Sequence, residues 1–246
     1  MHTPPEHFDI LVLNQIAPTG LARLPAERYR VGADIAEPHA VLLRSADMHG
    51  MEIAASVRAV ARAGAGTNNI PVKALSLRGV PVFNAPGANA NAVKELVLAG
   101  MLMAARRLPA ALQFVAGLDA QQADLEHAVE QGKKSFAGFE LAGQTLGIVG
   151  LGKIGCLVAD AAIKLGMNVL GYDPEITVEA AWSLPSQVKK AQSVAEVLKH
   201  AQFVSLHVPL VDATRHLVNA DNIGLMRPGA GLLTHSRGGA GSGSGG

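Results

Sequence analysis

Six residues, Gly150-Leu151-Gly152-Lys153-Ile154-Gly155, close the apolar run Thr145–Val149 and open an apolar helical pattern over residues 153–165. A carboxylate, Asp173, ends a second short apolar run over residues 167–172. Glycines in this spacing, between a strand and a helix, do their chemistry with the backbone. Gly150 permits the tight turn, Gly152 lets the main chain approach a diphosphate, and Gly155 lets the helix pack closely on its strand. The helix then turns unpaired N–H groups and the positive end of its dipole toward the phosphates. Asp173, about 20 residues beyond the glycines, is placed to accept hydrogen bonds from an adenosine ribose. A 2′-phosphate there would meet a like charge, so the pattern predicts NAD over NADP. A glycine triplet alone says little in a chain with 27 glycines among 246 residues, where a plain strand-to-helix turn is the competing reading. The flanking strand and helix and Asp173 give the triplet its weight.

Such groups must be carried by a sheet. Short apolar runs at residues 8–13, 40–43, 57–61 and 80–83 predict strands in a first stretch, with helices or turns between them. In a second stretch the strands fall at 145–149, 167–172, 203–208 and 231–233, with helices at 153–165 and 194–201. Short buried strands alternating with helices imply parallel sheets. Between the stretches, Val93, Leu96, Val97, Met101, Leu102 and Ala104 keep a helical period over 91–107 until Pro109 ends it, and that helix is expected to bridge two domains. The predicted fold is therefore α/β with two parallel-sheet domains. Residues 1–97 form a flavodoxin-like substrate domain, 98–237 a Rossmann NAD-binding domain, and 238–246 a flexible Gly/Ser tail without side chains to bury. The Rossmann domain reads as incomplete, because about four strands are visible where six are usual.

Composition narrows the function. A hydrophobic content of 49% can fill such cores, and with 4% aromatics the packing falls to Ala, Val and Leu. The formal charge of +1, with no basic cluster interleaved with aromatics, gives no reason to expect a nucleic-acid partner. No apolar run reaches the roughly 18 residues of a membrane span, and the polar start lacks the pattern of a secretory signal. The single cysteine, Cys156, suits a reducing, cytoplasmic setting and reads as a small packed side chain.

The residues offer two further groups. Arg237, just past the strand at 231–233, lies where open α/β sheets place ligands, and a guanidinium grips a carboxylate bidentately; a solvated arginine is the alternative. The turn at Ala65-Gly66 can present backbone N–H groups to the same carboxylate, or can simply be a strand-to-helix turn.

Four ordered stretches resemble the D-2-hydroxyacid dehydrogenases, in particular the D-3-phosphoglycerate dehydrogenase branch. They are Arg62-Ala63-Gly64-Ala65-Gly66-Thr67-Asn68-Asn69-Ile70, the run from Phe83-Asn84-Ala85-Pro86-Gly87 to Leu96, the glycine motif, and His207-Val208-Pro209-Leu210. The resemblance implies hydride transfer from C2 of a 2-hydroxy acid to nicotinamide C4 while a base takes the hydroxyl proton. For this branch 3-phosphoglycerate becomes 3-phosphohydroxypyruvate, at the entry to serine synthesis. It makes Arg237 a catalytic and substrate-binding residue, places Arg44 at the phosphate or carboxylate end of the substrate, and has Asn89 line the cleft. Without it, Arg44 is a surface arginine and Asn89 a helix N-cap. Lys133 and Lys134 are either further phosphate contacts or a solvated pair. Cofactor contacts carry over to Lys153, Ile154, Val208, Pro209, His235, Ser236 and Arg237, beside Gly150, Gly152, Gly155 and Asp173.

The family's base is a histidine some fifty residues beyond the Arg237 position, paired with a glutamate, and neither has a counterpart here. His207 matches a residue of the cofactor wall rather than that base. Thr234-His235 stand where the family shows a pair such as Asn-Phe. The other histidines have no metal-site spacing with Cys or carboxylates, and no metal is expected. Members of the family associate as dimers or tetramers through the cofactor domain and the adjoining helix. The expected activity is thus that of an NAD-dependent dehydrogenase truncated at its C-terminus, inactive by itself. An NAD-sensing, corepressor-like binding protein of the same fold and an inactive fragment are the alternatives.

Overall fold

The computed structural model describes residues 7–119, 124–209 and 211–234. These divide into two compact units that meet in the chain between Asn89 and Ala90.

In the first unit, β1 (Phe8–Val12) is followed by the single turn α1 (Pro18–Leu21), then β2 (Tyr29–Gly32), β3 (Ala40–Leu43), β4 (Ala59–Arg62), α2 (Val72–Leu77) and β5 (Val82–Asn84). All the pairings are parallel, in the order β2-β1-β3-β4-β5. That is the flavodoxin-like order, with its topological switch between β1 and β3. Val41, Leu43, Val60, Ile70, Leu75 and Val80 fill one core with Met48 and Val57. β2, Tyr-Arg-Val-Gly, is missing from the sequence reading because it is a four-residue edge strand with no fully buried position. β4 and β5 begin two residues later than the apolar runs at 57–61 and 80–83, since Val57 and Val80 are buried by the incoming loops before the ladders start.

The second unit opens with α3 (Ala90–Ala105), α4 (Leu108–Ala116) and α5 (Leu125–Lys133). There follow β6 (Thr145–Val149), α6 (Lys153–Lys164), β7 (Asn168–Tyr172), α7 (Val178–Ser183), β8 (Lys189–Lys190), α8 (Val194–His200), β9 (Phe203–Leu206) and β10 (Gly231–Thr234). The sheet is parallel in the order β10-β9-β6-β7-β8, so the described residues fill five of the positions of the six-strand 3-2-1-4-5-6 arrangement, one more than the apolar pattern showed. The extra strand, β8, is two exposed lysines and carries no apolar signal.

α3 packs on α6 and β10. Its Val93, Val97 and Met101 join Leu146, Ile148, Val158, Ala159 and Ala162 in one cluster. The first turns of α3 are thus committed to the second core, and the compact units divide ahead of the helix, whereas periodicity set the change at 97/98. Arg107, at φ +53°, ends the helical path, and Pro109 falls in the first turn of α4, where its missing N–H is no loss.

Candidate functional site

The strongest candidate lies at the carboxyl ends of β6, β7 and β9. β6 delivers the chain to Gly150, which has φ +93° and donates its N–H to Tyr172 O at 2.9 Å. A Cβ on Gly150 would lie 2.8 Å from the carbonyl carbon and oxygen of His207, so the chain leaving β9 passes directly over the turn. A Cβ on Gly155 would lie 2.1 Å from Gly150 O, so only glycine lets α6 come this near its strand. Gly152 is different. Its φ of −73° suits any residue, and nothing lies within 4 Å of its Cβ position.

Gly152 is also the N-cap of α6, and with no side chain it cannot satisfy the first N–H groups of that 12-residue helix. An open approach to a helix N-terminus that has no side-chain cap suits a diphosphate. Asp173 follows β7 directly. Its Oδ2 accepts from Leu151 N at 2.7 Å and its Oδ1 from Glu175 N at 2.9 Å. Each carboxylate oxygen retains a lone pair, so the half-buried group can still accept from a hydroxyl. These features fit a dinucleotide cofactor.

On the β9 side, the buried Ser205 hydroxyl lies 2.8 Å from His207 Nε2, and His207 N donates to Val149 O at 2.8 Å. Half-buried Val208 and exposed Pro209 come next, and Pro209 O accepts from the Thr214 hydroxyl. Glycine loop, Asp173 and the chain from His207 to Pro209 are therefore brought together, with Lys153 and Ile154 opening α6 beside them. His235, Ser236, Arg237 and the Gly/Ser tail lie outside the described residues.

Of the residues expected at the substrate, Arg44, Ala65, Gly66 and Asn89 lie in the first unit. Arg44, exposed, directly follows β3, and its N–H donates to Asn14 Oδ1 at 2.8 Å, while Asn14 Nδ2 donates to Ser45 Oγ at 2.7 Å. Those bonds tie the carboxyl ends of β1 and β3 together at the topological switch, where open sheets of this kind bind ligands. Buried Asn69 donates from Nδ2 to Ala46 O at 2.6 Å and to Arg44 O at 3.4 Å. Ala65 and Gly66 are exposed on the turn after β4, and Ala65 O accepts from Asn84 Nδ2 at 2.6 Å. Asn89, also exposed, immediately precedes α3. Sequence reasoning passed over Asn14 and Asn84 as positioning groups, although each is an amide at the end of an apolar run. Lys133 pairs with Glu130 at 2.6 Å on an exposed helix face.

Cys156 is buried in the first turns of α6, and burial, followed by the negative charge of Asp173, pushes its thiol above the usual range. Among the described residues no group of three or more His, Cys, Asp or Glu is arranged to hold a metal, and no helix is long and apolar enough to cross a membrane.

A parallel sheet in Rossmann order with a glycine turn, an unencumbered helix N-terminus and an acidic residue after the second strand defines a dinucleotide-binding α/β protein. The chain belongs to the D-isomer specific 2-hydroxyacid dehydrogenase family, whose NAD binding domain matches residues 98–242. It is 40% identical to a D-3-phosphoglycerate dehydrogenase of Methanocaldococcus jannaschii over 189 residues, which are 77% of this chain and 34% of that protein. It is 34% identical to the D-3-phosphoglycerate dehydrogenase of Mycobacterium tuberculosis over 243 residues, 94% of this chain and 43% of that one. The chain thus spans well under half the length of these curated relatives. Among solved structures, a protein from Thermus thermophilus superposes with TM-score 0.76 at 27% identity, covering 96% of this chain and 76% of its own. The NAD+-bound 3-phosphoglycerate dehydrogenase of Entamoeba histolytica shares the fold with TM-score 0.70 at 23% identity, over 96% of this chain and 74% of that chain.

Proposed function

We propose that this chain serves NAD-dependent oxidation of a small anionic 2-hydroxy acid, 3-phosphoglycerate, to 3-phosphohydroxypyruvate. The observation that carries the proposal is the contrast among the three glycines. Gly150 and Gly155 are required by the packing, whereas Gly152 faces open space in front of the α6 N-terminus, where only an incoming ligand needs the room.

In this reading the amides from Gly152 to Ile154 receive the diphosphate, Asp173 accepts from the adenosine ribose, and Val208 and Pro209 wall the cofactor site. Bound nicotinamide supplies the hydride acceptor. Arg44 and the main chain at Ala65-Gly66 draw the anionic substrate, Asn89 lines its cleft, and Arg237, with His235 and Ser236 beside it, clamps the carboxylate. His207, hydrogen-bonded to Ser205, keeps a place in the cofactor wall, and no residue of this chain is assigned as the base. The chain by itself is therefore expected to bind cofactor without appreciable turnover of 3-phosphoglycerate. Exposed Leu112 and Val115 on α4 favour self-association as a dimer or tetramer, which sedimentation of the same sample would check; a monomer at micromolar concentration would remove that part.

The test is fluorescence titration with NADH and NADPH. NADH should bind more tightly by about tenfold or more, the equivalent of about 1.4 kcal/mol. Equal affinities would withdraw the role of Asp173, and no binding of either would withdraw the reading.

A further inference from the structure

Leu151, the residue between the first two glycines of the loop, is held on three sides. Its N–H donates to Asp173 Oδ2 at 2.7 Å. Its carbonyl oxygen lies 3.2 Å from Cys156 Sγ, within reach of the thiol proton, which the high pKa of that group retains. The residue is 5% exposed, and its side chain lies over Gly171 of β7, where a Cβ would come within 3.0 Å of Leu151 Cδ1. A peptide between two glycines would otherwise sample many conformations, and fixing the backbone of each residue costs about 1–2 kcal/mol of conformational entropy. Here the fixing is done by the fold before any ligand arrives.

We infer that Asp173 is a positioning residue for the diphosphate loop: by holding the Leu151 N–H, together with the Gly171 gap and the Cys156 thiol, it sets the direction of the amides that follow. The ribose contact is then only part of its contribution to affinity. This rests on the NAD reading above, but its effect exists in the cofactor-free protein, where it can be measured separately.

The experiment is amide hydrogen exchange on the cofactor-free chain, with affinities for two probes, NADH and reduced nicotinamide mononucleotide, which has no adenosine ribose. Asp173→Ala should speed exchange at Leu151 about tenfold or more while Ile148, in β6, keeps its protection, and should weaken both probes. Asp173→Asn keeps an acceptor oxygen and should restore most of the Leu151 protection while discriminating less between NADH and NADPH. Should Asp173→Ala fail to fold, Cys156→Ala serves in its place, with a smaller, several-fold rise in exchange confined to the loop. Wild-type exchange at Leu151 in Asp173→Ala, or in Cys156→Ala where that variant stands in, or a loss of NADH affinity with mononucleotide affinity unchanged, would overturn the inference. If wild-type chain bound no NADH, the NAD reading would fail while the exchange result stood by itself.

Discussion

The carbonyl oxygen of Gly150 occupies the space that a side chain on Gly155 would need, 2.1 Å from its Cβ position. One contact thus sets how closely α6 approaches the end of β6, and with it the place of the helix N-terminus. Glycine at 155 serves the fold, whereas glycine at 152 meets nothing within 4 Å and leaves the front of α6 open.

Substitutions at the two positions should separate accordingly. Gly155→Ala forces α6 away from the turn and should destabilise the second unit by about 1–3 kcal/mol, read from chemical denaturation. Gly152→Ala meets nothing within 4 Å and should leave stability within about 0.5 kcal/mol of wild type while weakening NADH binding severalfold. Equal stability losses in the two variants would contradict this division of labour.

Asn69 should matter to the first unit well beyond its size. Its amide group holds the carbonyls of Ala46 and Arg44, the loop that leaves β3 at the topological switch. Asn69→Ala leaves those carbonyls without their donor and should cost about 1–2 kcal/mol in urea unfolding. An unchanged midpoint would show that the loop holds itself.

Acid should expose the bidentate pair between Arg30 and Asp9, in which Nε and Nη2 donate to the two carboxylate oxygens at 2.7 and 2.8 Å. The hydrogen bonds from Arg30 hold the Asp9 carboxyl below its ordinary range. The unfolded chain therefore takes up that proton at higher pH than the folded one. The stabilisation is present in full above about pH 3.9, the ordinary aspartate value, and is lost as pH falls through the lower folded value. Arg30→Gln should be less stable than wild type at pH 7, and the difference should narrow toward pH 3. A gap in urea midpoints that stays constant over that range would contradict the assignment.

The parts legible in the sequence are those where chemistry dictates residue type. The glycine turn can be read because the close approach of α6 and of the chain leaving β9 requires glycine, and Asp173 because a lone carboxylate ends an apolar run. The bond from Leu151 to Asp173 cannot, because it depends on the register that pairs Val149 with Tyr172 across β6 and β7. Asn14, Asn69 and Asn84 escaped notice for the same reason: each is a common polar residue until the fold shows which carbonyl or amide it holds. Most strands announce themselves as apolar runs, β5 and β10 at the ends of the strand orders included, whereas β2 is Tyr-Arg-Val-Gly and β8 only two lysines, neither of them an apolar run.

The shortness of β8 has its own consequence. An outermost strand with free amides and carbonyls invites pairing with a second molecule, and long, flat, apolar edges are where chains stick together. Here that border offers just two residues, Lys189 and Lys190, both solvated. An approaching copy would have to bring its own ammonium groups against them. The same pair that hides the strand from a hydrophobicity pattern guards this side of the protein against precipitation.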